Sequence, residues 1–245
     1  MARTPRKLSA TGYMHVIVRG IGKQVLFNER SDYKFYLSIL KKYSIEADIS
    51  IVAYCMMENH VHLLLYDPGQ NVSLFMKKMG IRYSQYFNYK YDRVGHLFQD
   101  RFLSEPIENE GYLLTVFRYI LQNPQKAGIC TAKNYEWSSY AQYDDPRAFV
   151  DMSAIKPVIG DHEQFEFFMK EQQEDDCLEY ERPKRDDNWA RSVLCDVLGV
   201  RSGTEIQGFD RKRRDTAIRE LKRAGLNIKQ IERLTGINRG VVQKA

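Results

Sequence analysis

The chain has 245 residues, 43% of them hydrophobic and 28% charged, with a mean hydropathy of -0.51. That length fits one large domain or two smaller ones, and no apolar run reaches the roughly 18 residues a membrane span requires. The net charge of +5 conceals three segments: residues 1–160 carry 20 basic against 15 acidic residues, 161–180 carry 1 against 8, and 181–245 carry 16 against 9.

Two basic segments therefore flank an acidic one. Such segments suit a phosphate-rich partner, although a solvated surface has the same composition. The basic start Met1 to Lys7 is followed by no apolar stretch of signal type, so the expectation is a cytoplasmic protein without a membrane partner. Cys55, Cys130, Cys177 and Cys195 are scattered without a CxxC pair, which argues against a disulfide framework or a cysteine zinc site.

In chain order, Tyr13 to Arg19 is rich in β-branched and aromatic residues and predicts a strand. Residues 31–46 predict a helix, with Ser31 as N-cap and Tyr33, Tyr36, Leu37 and Leu40 at helical spacing. Residues 49–56 and 60–66 predict two adjacent strands, with Met57-Glu58-Asn59 as the turn. Asp67-Pro68-Gly69 ends that hairpin. A helix is expected over about 71–89, an extended piece near 101–107, and a helix over about 109–122 closed by Pro124. The order strand, helix, strand, strand, helix, strand, helix implies an α+β fold, a ferredoxin-like split βαβ antiparallel sheet. Residues 131–160 read as loop, and the acidic stretch 161–180 as partly helical. The expected division is 1–145 for the α+β domain, 146–185 for an acidic bridge, and 186–245 for a basic, all-helical domain.

His60 and His62 alternate on a predicted strand, so both imidazoles share a face, with Val61 on the other. Two imidazoles so placed can chelate one metal, and two polar residues on a solvated face would show the same spacing. His15, His96 and His162 have no comparable partner in sequence and read as structural or surface groups. Tyr119 and Asn123 are four apart and lie on one helix face. That face offers a phenol and an amide oxygen, the latter a hard donor suited to Mg²⁺ or Mn²⁺. With 16 tyrosines in the chain, packing is the ordinary role of any one of them.

At these motifs a family resemblance emerges. Glu58-Asn59-His60-Val61-His62-Leu63-Leu64 resembles the His-hydrophobic-His motif of the HUH superfamily. Phe117 to Gly128 resembles the tyrosine helix of REP-associated tyrosine transposases, relatives of the single-tyrosine insertion-sequence transposases. Tyr13 to Phe27, Gly95 to Phe102, and Trp137-Ser138-Ser139-Tyr140 resemble further stretches of that family. The resemblance spans about residues 10–142. It implies metal ligands at His60, His62 and Asn123, a nucleophile at Tyr119, and Mg²⁺ or Mn²⁺ as cofactor. It implies an HUH-type tyrosine endonuclease or transposase, a DNA strand transferase. Such an enzyme cleaves and rejoins hairpin-containing single-stranded DNA through a 5′-phosphotyrosine. A homodimer is among the open assembly states. Asn123 stands where some relatives carry Gln, which shortens the ligand's reach. Relaxases place the tyrosine before the histidines and use a third histidine, unlike this order. A catalytically silent DNA- or RNA-binding regulator on the same fold is the competing reading.

Residues 216–245 resemble a helix-turn-helix. Asn227 caps a first helix to about Leu234, Gly236 supplies the turn, and Asn238 caps a second helix carrying Arg239, Gln243 and Lys244. The run Arg211, Lys212, Arg213 and Arg214 suits phosphate contact. Arg19, Arg101, Lys126, Arg239 and Lys244 complete the expected nucleic-acid contacts. A helical appendage packed on the core is the other reading of this segment.

Overall fold

The computed structural model describes residues 6–171, 177–179, 187–200 and 202–245. Compact units form over residues 1–180 and 181–245. In the first, strands β1 (Tyr13–Arg19), β2 (Ser50–Met57), β3 (His60–Tyr66) and β4 (Leu103–Ile107) alternate with helices α1 (Arg30–Ala47), α2 (Val72–Lys90) and α3 (Glu110–Lys126). The sheet order is β2-β3-β1-β4, antiparallel throughout. This is the ferredoxin-like arrangement the element order implies. Short helices α4 (Lys156–Ile159) and α5 (His162–Lys170) follow.

The central strands are apolar because both faces are covered. Met14, Val16, Ile17 and Val18 of β1 and Leu63, Leu64 and Leu65 of β3 are all buried. Alternation sends Met14, Val16 and Val18 to one face and His15, Ile17 and Arg19 to the other. Helices α1 and α2 pack on each other, and α3 packs across β2 and β3. Trp137-Ser138-Ser139 runs along β2: the Met56 amide donates to the Trp137 carbonyl at 2.9 Å, and the Ser139 amide donates to that of Tyr54 at 3.0 Å.

Three expectations need correction. Helix α1 begins at Arg30, so Ser31 lies inside it; the buried Asp32 carboxylate takes the amides of Asn28 and Glu29, each at 2.9 Å, and thereby fixes the earlier start. The turn before β3 is only Glu58-Asn59, with Met57 still in β2. Pro124 does not close α3. It is buried inside the helix, which runs on to Lys126 and stops before Gly128 at φ 70°. A proline takes its own N–H out of the ladder and crowds the carbonyl four residues earlier, without by itself ending the helix. Beyond it the helix continues and closes, the amides of Ala127 and Ile129 donating to the carbonyls of Asn123 and Pro124, both at 2.9 Å.

The second unit has its own core, built from Leu194, Ile206, Ile218, Leu221, Ile231 and Val242 among others. Helices α6 (Asp187–Leu198), α7 (Arg211–Arg223), α8 (Ile228–Thr235) and α9 (Arg239–Lys244) enclose it. Asn227 caps α8 by accepting from the Gln230 amide, and Asn238 caps α9 by accepting from Gly240. Gly236 between them has φ 69°, and a Cβ there would meet Gln207 Nε2 at 2.3 Å. The positive φ favours glycine at that turn. Among the described residues no helix is long and apolar enough to cross a membrane.

Asp32 ties the first loop to α1 and α2. Besides the two amides it accepts from Lys90 at 2.6 Å, Tyr91 at 2.7 Å and Tyr86 at 3.0 Å. Desolvation pushes its pKa up, but these bonds outweigh it and hold the carboxyl below its usual value. Asp32→Ala leaves the Asn28 and Glu29 amides without their acceptor, while Lys90 keeps Glu29 and Ser31, so a loss of about 1–3 kcal/mol is expected. Urea unfolding of the full chain measures it.

Candidate active site

The site is set by the pairing of β1 with β3. His15 lies opposite Leu64, Ile17 opposite His62, and Arg19 opposite His60. Facing residues of an antiparallel pair share a face, so His15, His60 and His62 emerge on the side of the sheet where α3 packs. His15 and His62 are diagonal neighbours, and His15 Nε2 meets His62 Nδ1 at 3.0 Å. The rings of His60 and His62 cross edge-on at 5.0 Å between centroids. His60 Nδ1 lies 2.7 Å from Asn59 Oδ1.

Helix α3 brings Tyr119 onto this cluster. Its ring stands edge-on to His62 at 5.7 Å and to His15 at 5.9 Å. Tyr119 is 4% exposed, His62 3% and His15 0%. Asn123, one turn on and also buried, hydrogen-bonds the phenol oxygen. Lys126, two turns on, places its Nζ 4.5 Å from the centre of the Tyr119 ring. Ending α3 at Pro124 would have removed Lys126 from this stripe. The Tyr119 hydroxyl donates to Glu179 Oε1 at 3.0 Å. Tyr112, two turns before Tyr119, donates to Glu105 at 2.8 Å.

Burial governs the electrostatics. Desolvation pushes the His15 pKa down to about 3, and desolvation with the neighbouring His15 and His60 takes His62 well below its ordinary value. Both rings are therefore neutral at pH 7. Tyr119 is raised, first by desolvation and then by the charge and hydrogen bond of Glu179, while the Asn123 bond opposes the rise. The phenol is thus a weaker acid here than free tyrosine.

The chemistry of His60, His62 and Asn123 is compatible with a divalent cation. His62 Nδ1 is taken by His15, which leaves its Nε2 for a metal. Two neutral imidazoles and an amide oxygen are ligand types for a divalent cation and would leave its charge undiminished. Among the described residues no three His, Cys, Asp or Glu side chains form a metal cluster, so such a site depends on a neutral donor like Asn123.

The expected cationic residues fall in separate places. Lys126 lies over Tyr119, and Arg19 is half-buried at the end of β1 opposite His60. Arg101 is exposed and lines a groove with Lys77, Gly80 and Ser84 of α2, away from the tyrosine helix. In the second unit Arg211, Lys212, Arg213, Arg239 and Lys244 are exposed. Arg214 is half-buried, pairs with Asp215 at 3.4 Å, and so is partly committed to the helix itself.

Sequence reasoning missed His15 and Glu179. The one signal for His15 was a histidine in an otherwise apolar strand, two residues from Ile17 on the same face. Nothing local links Glu179 to Tyr119, 60 residues earlier.

Residues 9–123 match the family model for IS200-like transposases. A solved structure of a REP-associated tyrosine transposase bound to a REP hairpin aligns with 63% of this chain and 96% of its own, at 17% identity and a TM-score of 0.51. At that identity the likeness establishes the fold. A candidate transposase from Deinococcus radiodurans R1 aligns with 45% of this chain and 90% of its own at 20% identity, but its TM-score of 0.34 carries no weight. No curated protein matches the chain.

Glu179→Gln removes the charge beside the Tyr119 hydroxyl. The phenolate then loses a repulsive neighbour, so the Tyr119 pKa is expected to fall toward the ordinary tyrosine value. Titration of the Tyr119 ring carbon by NMR measures the shift, and an unchanged or higher value would contradict this account.

Proposed function

Because residues 9–123 match the IS200-like transposase family, we propose that this protein cleaves and rejoins hairpin-containing single-stranded DNA through Tyr119. One observation carries the proposal: α3 lays the Tyr119 ring against His62 and His15, with His60 beside them. That geometry joins the two motifs whose residue types suit phosphoryl transfer. The hairpin held by the protein of related fold supports the choice of substrate.

In this reading Tyr119 Oη attacks the scissile phosphorus, and the bond to the 3′-oxygen breaks. The 5′ end becomes a phosphotyrosine, and the 3′-oxygen leaves as a hydroxyl, gaining a proton as the phenol loses one. A later 3′-hydroxyl attacks the phosphotyrosine, rejoins the strand and returns the proton to Tyr119. The covalent link conserves the bond energy, so no nucleotide cofactor is consumed. His60, His62 and Asn123 would hold Mg²⁺ or Mn²⁺, which when bound supplies Lewis-acid polarisation of the phosphate oxygens. Asn123 also stabilises the developing phenolate by its hydrogen bond, and Lys126 adds positive charge above the ring. The buried walls keep water from competing for the phosphorus. Glu179 accepts the hydroxyl proton's bond in the resting state, and a phosphate must displace this carboxylate to approach Oη, since both are anionic.

The second unit is assigned DNA affinity rather than chemistry. Its exposed Arg211, Lys212 and Arg213 open α7, and Arg239 and Lys244 lie on the second helix of the α8-turn-α9 pair.

Three outcomes test this function. Tyr119→Phe removes one oxygen and leaves the packing, so it is expected to bind hairpin DNA and form no covalent adduct, whereas Tyr112→Phe still forms one. Mass spectrometry of the adduct peptide decides the site, and a phosphotyrosine elsewhere would overturn the assignment. His62→Ala with the fold intact is expected to abolish Mg²⁺- or Mn²⁺-dependent cleavage, and full activity in excess chelator would refute metal dependence. Replacing Arg211, Lys212 and Arg213 by Ala is expected to weaken DNA binding and flatten its salt dependence, by roughly 0.7–0.9 in the log–log slope for each phosphate no longer neutralised. Equal affinities for variant and parent at several salt concentrations would give the unit another role.

A further inference from the structure

His15 lies in an apolar stretch of the sheet, between Met14 and Val16, and is wholly buried. An imidazole there loses its hydration. Its Nδ1 finds no hydrogen-bond partner among the described residues. Its other nitrogen makes one bond, 3.0 Å to His62 Nδ1. An aliphatic side chain would fill the position without stranding a nitrogen. What sets a histidine apart here is therefore what it does to His62.

One proton lies between the two neutral rings, and its owner decides what His62 can do. If His15 donated it, His62 would carry its own proton on Nε2 and could not ligate through that nitrogen. If His62 donates it, Nε2 keeps a bare lone pair. We propose that His15 is a positioning residue that accepts the Nδ1 proton of His62, locks that tautomer and ring orientation, and so presents Nε2 to a divalent metal. The inference rests on the metal-dependent reading of the site. His15 then carries its proton on Nδ1, the buried nitrogen without a partner, and the Tyr119 ring packs edge-on against it at 5.9 Å. His60 is supported differently, by the Asn59 side chain next to it in sequence. The two histidines of the motif thus differ in their support: one is held locally by the turn, the other by a residue of a different strand.

The test uses the full chain and Mn²⁺ alone, titrated by calorimetry or electron paramagnetic resonance. His15→Phe retains ring volume but accepts no hydrogen bond. It is expected to keep the folded circular dichroism spectrum and to bind Mn²⁺ about 10–100-fold more weakly, the usual effect of removing the group that supports a metal ligand. His15→Gln offers an amide oxygen in place of Nε2 and is expected to recover most of the affinity. In long-range proton–nitrogen spectra of the Mg²⁺-loaded parent, His62 is expected to carry its proton on Nδ1. His62→Ala separates the two readings. If it leaves Mn²⁺ binding unchanged, the metal site itself is misassigned and this inference falls with it. If it abolishes binding while folded His15→Phe binds like the parent, only the role of His15 is overturned. If His15→Phe does not fold, the spectra decide, and a proton on His62 Nε2 in the loaded parent overturns the proposal.

Discussion

One register, β1 against β3, underlies everything the site contains. Opposing Ile17 to His62 and Arg19 to His60 puts three imidazoles on the face that α3 covers. A slip by one residue would turn every side chain of one strand to the other face. His15 would then exchange faces with Val16 and Val18, and the hydrogen bond between His15 and His62 could not form. The register is held by the apolar faces, since Val16, Val18, Leu63 and Leu65 have nowhere else to be buried. The two-residue turn at Glu58-Asn59 fixes β3 against β2 in the same way.

The site works against its own burial. Removing water sharpens electrostatic contacts and keeps competing nucleophiles out, but it also disfavours every charged form. His15 and His62 respond by staying neutral, which suits ligation. Tyr119 responds by holding its proton more tightly, which would oppose its attack in the proposed reaction. The groups that can offset this are close: the Asn123 hydrogen bond, the Lys126 ammonium over the ring, and any cation at the histidines. Running α3 through Pro124 is what puts the first and last turns of this stripe on one continuous rod, at the cost of a single missing hydrogen bond.

The helical unit follows simpler rules. Its caps, Asn227 and Asn238, and its turn glycine are local features, and each does in the fold what its position suggests. Its surface charge is equally local, with Arg211, Lys212 and Arg213 exposed on one end of α7 and Asp210 capping it. Arg214 differs in being half-buried.

By itself the sequence determined the strands at 13–19 and 60–66, the ferredoxin-like order, the histidine pair sharing a face, and the tyrosine and asparagine sharing a helix stripe. Each is a matter of periodicity, and periodicity is written residue by residue. The sequence also carried the caps and turn glycine of α8 and α9, since an Asn or Gly at a helix end acts on its immediate neighbours. Only the tertiary structure decided that His15 backs His62, that Asp32 rather than Ser31 sets the start of α1, that α3 survives Pro124, and that Glu179 reaches the Tyr119 hydroxyl. These depend on strand pairing, on packing that outweighs one absent hydrogen bond, and on proximity between residues tens of positions apart, none of which a local pattern encodes.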